Sequence, residues 1–333
     1  MNGAIIPEQV LEIADGIRTM RIRGAGEIAR AAANALKIAA LSYSGPRSVE
    51  DFKKYMVKIG DMLISTRPTA VSLPNAVVYV LRSLKGKTNF DEAREAVVTA
   101  SEEFVKNSRE AVKKISEIGA KRIKPGSIVL THCHSTAAVE LIAEAYRQGR
   151  IERVYSTETR PFMQGRITMV HLLKYGIPAE QVPDSAVRYL MHEVDYVIVG
   201  ADAVASNGAL VNKIGTSQVA LAAKEARVRF YVAAESYKFS PLTLFGELVK
   251  IEFRSEEEVV PSDWLKSHPR VKVLNPVFDV TPPEYIDAIV TEYGVIPPQA
   301  AVLILIDKLG WALDTVKAVH TYDFAAFLEE LAE

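Results

Sequence analysis

"SIVLTHCHSTAAVELIAEAYRQGRIERVYS", residues 127–156, decides the fold. A β-branched apolar run at 127–130 gives way, through Thr131-His132-Cys133-His134, to apolar residues at helical spacing, which lead to a second β-run at 153–156. Strand, helix and strand in that order form the unit of a parallel sheet. The alternation recurs downstream, with β-runs at 195–199, 229–233 and 271–274 separated by helical patterns. The expectation is an α/β chain with an open, doubly wound, mostly parallel sheet. Upstream the texture changes. From Pro7 to about Gly119 the segments "VLEIADGI", "GEIARAAANALKIAALS", "DFKKYMVKIGDMLI", "LPNAVVYVLRSL" and "DEAREAVVTASEEFVKNSREAVKKISEIG" all carry helical periodicity. A helical amino-terminal domain over 1–119 and a sheet domain over 120–333 are therefore expected. The tail from Asp314, with "DFAAFLEELAE", reads as one more helix.

The chain has 333 residues, enough for two domains with an ample core. Forty Lys and Arg face forty-one Asp and Glu, a net charge of -1, which argues against a nucleic acid or membrane surface as partner. The single cysteine excludes a disulfide within the chain, and the first twenty residues lack the features of a secretion signal. No apolar run approaches the roughly 18–20 residues that span a bilayer. A cytoplasmic protein is expected.

Ligands of open α/β sheets sit outside the carboxyl ends of the strands, so the polar residues following each β-run are the first candidates. The runs lead into Thr131-His132-Cys133-His134, Glu158-Thr159-Arg160, Gly200-Ala201-Asp202, and Glu235 with Tyr237-Lys238. His132 and His134, two apart, suit a metal only with further His or Asp ligands, and the remaining histidines, His171, His192, His268 and His320, show no such placement. Histidines satisfied by hydrogen bonds fit better, and no metal is expected. Cys133 reads either as a buried apolar thiol or as a thiolate favoured by a helix that Ser135 or Thr136 caps. A thiolate there serves as a base or as an acyl-transfer nucleophile. Asp202, among apolar Ala201, Ala203 and Val204, is either an acid with a raised pKa or a loop cap. Asn212 and Lys213 follow, then Thr216 or Ser217 as N-cap of a helix through Ala226. In "RIRGAG", Arg23 with Gly24, Ala25 and Gly26 opens a helix, an arrangement suited to an anion. Arg67, before Pro68, is a second candidate phosphate ligand.

In one order, "RGAG", "TRPTAVSLPNAV", "THCHS", "TETRPFMQG", "GADAV", "NG", "VNKIGT", "YKF" and "NPVFDVTPPEYIDAIVTEYGVIPP" run from about Arg21 to Trp311. With these motifs the chain resembles the sugar-phosphate isomerases related to the alpha, beta and delta subunits of translation initiation factor 2B, and among them the archaeal bisphosphate branch. The resemblance implies a helical amino-terminal domain on a Rossmann-like carboxyl-terminal one, a dimer or a hexamer of dimers, and no metal or organic cofactor. It implies Cys133 and Asp202 as the catalytic pair, which the non-catalytic initiation-factor relatives generally lack. Arg23, Gly24, Ala25, Gly26, Arg67, Ser135, Thr136, Ala137, Gln164, Asn212, Lys213 and Lys238 fall at substrate-binding positions. The implied reaction converts ribose 1,5-bisphosphate to ribulose 1,5-bisphosphate in nucleotide salvage, with AMP as activator; methylthioribose 1-phosphate isomerisation and a regulatory, non-catalytic role are the alternatives. Thr136 stands where the bisphosphate branch tends to carry lysine, which assigns one phosphate contact to Arg21, Lys238 or the amides of residues 135–137.

Overall fold

The computed structural model describes residues 4–319. These form two compact units, the first made of residues 4–110, 236–247 and 303–319, the second of residues 111–235 and 248–302. "DFAAFLEELAE" and His320 lie outside the described residues.

The first unit is helical. α1 (Glu8–Arg18), α2 (Ala25–Leu41), α3 (Val49–Thr66) and α4 (Ser72–Leu81) pack with the first part of α5 (Phe90–Ala120). The small residues Ala29, Ala32, Ala33 and Ala40 of α2 are wholly buried and bring that helix close to its neighbours, while Ile28 and Leu36 supply its large buried side chains. Phe52, Met56, Ile59 and Leu63 of α3 repeat every three or four residues and bury one face, as their spacing predicts. Ser48 caps α3, its hydroxyl accepting from the Asp51 N–H at 3.3 Å.

The second unit carries the sheet. Its strands are β1 (Ser127–Thr131), β2 (Ile151–Thr157), β3 (Ala179–Val182), β4 (Tyr196–Val199), β7 (Arg229–Ala233), β9 (Ala288–Thr291) and β10 (Gly294–Ile296), in the order β10-β9-β7-β4-β1-β2-β3. Every pairing is parallel except β9 with β10. This is the mostly parallel, doubly wound sheet expected. Helices α6 (Thr136–Arg147), α7 (Gln164–Lys174), α8 (Val187–Leu190) and α9 (Thr216–Ala226) connect the strands. The uninterrupted runs at 196–199 and 230–233 are buried throughout, as covering on both faces demands. A three-stranded antiparallel sheet, β5 (Ala203–Val204), β6 (Leu210–Lys213) and β8 (Phe278–Thr281), completes the unit.

One expected strand is absent. Residues 271–274 form no strand, and Val271 and Leu274 are exposed, at 41% and 77%. Apolar side chains left in solvent have nothing to pack against. The sheet continues instead through β9, whose four residues are all buried.

The chain moves outward from β1 through β2 and β3 on one side, and from β4 through β7 and β9 on the other. The carboxyl ends of β1 and β4 therefore flank the switch point of the winding, where open α/β sheets hold their ligands. Cys133 lies just beyond β1 and Asp202 just beyond β4.

Candidate active site

Cys133 adopts the left-handed conformation, φ 68°, which costs a non-glycine residue about 1–3 kcal/mol and persists only where its surroundings hold it. Both backbone groups of Cys133 are held by threonine hydroxyls. Its N–H donates to Thr159 Oγ1 at 2.8 Å, and its carbonyl accepts from Thr168 Oγ1 at 2.8 Å. The Thr168 proton is thereby committed, so His134 Nδ1, 3.0 Å away, donates to the same oxygen. Thr159, itself left-handed at φ 59°, is fixed by Asp184, whose carboxylate accepts from the N–H groups of Thr159 and Arg160 at 2.8 Å each.

His132 is buried beside it. Ile214 O, 2.9 Å from Nε2, can only accept, which places the ring proton on Nε2; Nδ1 then accepts from Thr157 Oγ1 at 2.6 Å. Burial pushes the pKa of this ring below its ordinary value and keeps it neutral. Both ring nitrogens are used, so His132 has no lone pair left for a metal. Among the described residues no three His, Cys, Asp or Glu side chains are grouped as metal ligands. With Thr157 Oγ1 3.1 Å from Thr159 Oγ1, hydrogen bonds run unbroken from the Cys133 N–H to the Ile214 carbonyl. The two histidines of "THCHS" are positioning groups.

The sulfur is subject to opposing influences. Ser135 does cap α6, its Oγ accepting from the Ala138 N–H at 3.3 Å, and the His134 N–H donates to the sulfur. Burial nevertheless dominates: it pushes the thiol from the ordinary 9.0 up to about 11, although part of the residue remains accessible. The Lys213 ammonium pulls the pKa down, and the carboxylates of Asp202 and Asp184 push it up. Burial thus weighs toward the thiol, because removing charge from water outweighs a helix end already occupied by its cap.

Asp202 is half-buried, and Ala201, Ala203 and Val204 around it are buried. Its N–H donates to Val211 O at 3.0 Å, tying the end of β4 to β6, on which Asn212 and Lys213 are buried. The Asp202 carboxylate makes no hydrogen bond among the described residues. Lys213 Nζ lies 5.2 Å from the centre of the Phe278 ring. Asn212 Nδ2 donates to Thr216 Oγ1 at 3.1 Å, which fixes the amide. Gln164, the first residue of α7, holds a buried Oε1 with no hydrogen-bond partner among the described residues, an acceptor available to a hydroxyl. Thr136 is exposed, and Ala137 is buried behind it.

The expected side-chain cap of α9 is replaced. Gly215, at φ 100°, precedes the helix, and Thr216 Oγ1 donates to Lys213 O at 2.6 Å. Asp279 of β8 takes the capping role, accepting from the Gly215 N–H at 2.8 Å and the Ser217 N–H at 3.1 Å. Burial holds its carboxyl well up, to about 6. Two glycines permit close approach. A Cβ on Gly200 would stand 2.2 Å from Ser135 Oγ, and one on Gly165 would stand 1.7 Å from Thr157 O.

In the helical unit, Gly24 precedes α2 with φ 87° and no side-chain cap, followed by Ala25 and Gly26, and Arg23 is exposed with no ion pair among the described residues. Arg67 closes α3 and is buried. Arg21 is engaged by Asp15 at 2.6 Å. Lys238 is buried in a segment that Asn75 grips, its Nδ2 donating to the carbonyls of Tyr237 and Phe239 at 2.8 and 2.9 Å. Sequence reasoning missed Thr157, Thr168, Asp184, Asp279 and Asn75 as positioning residues; Asn75, inside "LPNAV", sat in a motif segment already read for function.

The family model of the initiation factor 2 subunit family matches residues 21–298. The chain belongs to that family. Within it, ribose 1,5-bisphosphate isomerase of Archaeoglobus fulgidus is 51% identical over 305 residues, 92% of this chain and 95% of that protein. The protein of the same name from Thermococcus kodakarensis is 49% identical, covering 92% of this chain and 97% of its own. Among solved structures, Pyrococcus horikoshii OT3 translation initiation factor eIF-2B superposes with a TM-score of 0.76 at 30% identity, covering 89% of this chain and 99% of that one.

Proposed function

We propose that this chain is an aldose–ketose isomerase that converts ribose 1,5-bisphosphate to ribulose 1,5-bisphosphate. The observation that carries the reading is the placement of a left-handed cysteine and a carboxylate free of hydrogen bonds at the two sides of one sheet switch point, with Lys213 acting electrostatically on the same sulfur. The identity of about half to archaeal proteins bearing that activity's name supports the substrate.

The chemistry follows from the substrate. Its anomeric oxygen is tied to phosphate, so the ring cannot open to a free aldehyde. The Cys133 sulfur, as thiolate, takes the C2 proton while Asp202, as the acid, protonates the ring oxygen; the ring C–O bond breaks and a C1–C2 phosphoenolate forms. Cys133 then returns the proton to C1, Asp202 removes the proton from the C2 hydroxyl, and the ketone forms with both residues restored. Lys213 stabilises the sulfur anion that the first transfer requires. Each such transfer contributes roughly 10² to 10⁴ in rate. Gln164 and Asn212 bind the sugar hydroxyls, and the amides of Ser135, Thr136 and Ala137 bind phosphate. Arg23 with the amides of Gly24, Ala25 and Gly26, Arg67 and Lys238 serve as further phosphate ligands.

AMP activation, a place in nucleoside salvage and a homo-oligomer belong to the same proposal and rest on the family resemblance. The test is ketose formation followed by NMR from ribose 1,5-bisphosphate and from methylthioribose 1-phosphate, each with and without AMP. Ketose from the bisphosphate is expected; ketose from methylthioribose 1-phosphate alone would transfer the assignment to that sugar, and none from either would leave a binding protein.

A further inference from the structure

The amino ends of the same strands hold a second feature that the reaction does not use. A cavity of about 470 Å³ opens where β1, β4 and β7 begin, the opposite end of the sheet from Cys133 and Asp202. That volume falls within the roughly 300–1,000 Å³ typical of small-molecule sites. Four cations line it: Lys124 ahead of β1, Arg188 on α8, Arg227 at the end of α9 and Arg229 at the start of β7. One carboxylate, Asp195, faces them, and its Oδ2 already accepts the Ile128 N–H at 2.9 Å. Arg188 is paired outward with Glu225 through two bonds of 2.7 and 2.9 Å. Lys124, Arg227 and Arg229 make no ion pair among the described residues, and all three are exposed.

Three guanidinium or ammonium groups around one hollow, with Asp195 the one carboxylate that lines it, concentrate positive potential there in a chain whose overall charge is -1. Arginine forks match phosphate oxygens in pairs. Arg227 is held in place by its left-handed turn, φ 62°, with its N–H donating to Lys224 O at 3.2 Å. Behind the cations, Met191, Val194 and Val228 form a buried apolar floor that gives the non-ionic part of a ligand a dry surface. We infer that this cavity is a second binding site, taking a phosphorylated small molecule whose phosphate is gripped by Lys124, Arg227 and Arg229. The site is independent of the isomerase reading, because none of its residues belongs to the catalytic set.

The experiment uses inorganic pyrophosphate as probe, with acetylation of surface lysines on the intact chain read by mass spectrometry. At a probe concentration of ten times the dissociation constant, labelling of Lys124 falls about tenfold, while exposed Lys85 is unchanged. In Arg227→Gln/Arg229→Gln the protection of Lys124 is lost. Buried Lys53 and Lys213 report folding in the same spectra, since they acetylate only if the variant opens. Should that variant open, Arg229→Lys, which keeps the charge but loses the fork, replaces it and weakens protection at least severalfold. Unchanged Lys124 labelling in the wild-type chain, or equal protection by sodium chloride of matched ionic strength, overturns the inference.

Discussion

Alkylation of Cys133 by iodoacetamide tests the electrostatics of the site without any substrate. The chain has one cysteine, so the signal has no background. Burial raises the thiol from 9.0 to about 11, a change of two pKa units or about 3 kcal/mol against ionisation. At about pH 8 the thiolate fraction is then on the order of 10⁻³, against about 10⁻¹ for an ordinary thiol, and the reaction slows about a hundredfold from this cause alone. Restricted access lowers the absolute rate further, so the diagnostic is the pH profile: the logarithm of the rate climbs with unit slope and shows no plateau below about pH 10. The partners shift it in opposite senses. Lys213→Met removes the largest influence that lowers the pKa and moves the profile to higher pH; Asp202→Asn removes one that raises it and moves the profile to lower pH. A wild-type plateau near neutrality, or variants shifting in the same direction, would refute the reasoning.

Three further outcomes follow from individual contacts. Thr159→Val keeps the shape but leaves the Cys133 N–H without its acceptor; chemical denaturation should show a loss of about 1–3 kcal/mol, with kcat reduced more than KM is changed. Gly165→Ala sets a methyl against the Thr157 carbonyl, a backbone atom that no rotamer change can move, and should lower stability by about 1–3 kcal/mol or more in the same assay. Asp279 gives a pH signature. Its folded pKa, about 6, lies above its ordinary 3.8, so the folded state holds the extra proton between these values, and its contribution to stability is full below about 4 and is lost as pH rises through about 6. Wild type should therefore lose stability relative to Asp279→Asn between about pH 4 and pH 7, measured by paired melts; a constant difference would contradict the assignment.

The sheet was legible because buried parallel strands require uninterrupted apolar runs, and those at 128–130, 196–199 and 230–233 are short, β-branched or aromatic, and separated by helical patterns. Residues 271–274 have a similar composition but lie in an exposed segment, and β-branching alone does not reveal burial. Cys133 and Asp202 were legible as strand-end residues; how they are held was not. Thr157 and Thr168 reach the His132–Cys133 turn from 25 and 35 residues away along the chain, Asp184 holds Thr159 from 25 residues beyond it, and Asp279 caps α9 from 62 residues beyond Ser217. Local spacing carries no trace of such contacts. The raised thiol pKa has the same origin: the helix end is a local feature visible in sequence, whereas desolvation is the work of the whole fold.

The central claim is that Cys133 and Asp202 move protons on a single sugar phosphate. Its most direct measurement is the fate of deuterium when ribose 1,5-bisphosphate labelled at C2 is incubated with the protein in ordinary water. Label found at C1 of the ketose, with turnover abolished in both Cys133→Ser and Asp202→Asn, is the predicted result; ketose formed at an undiminished rate by either variant would contradict it.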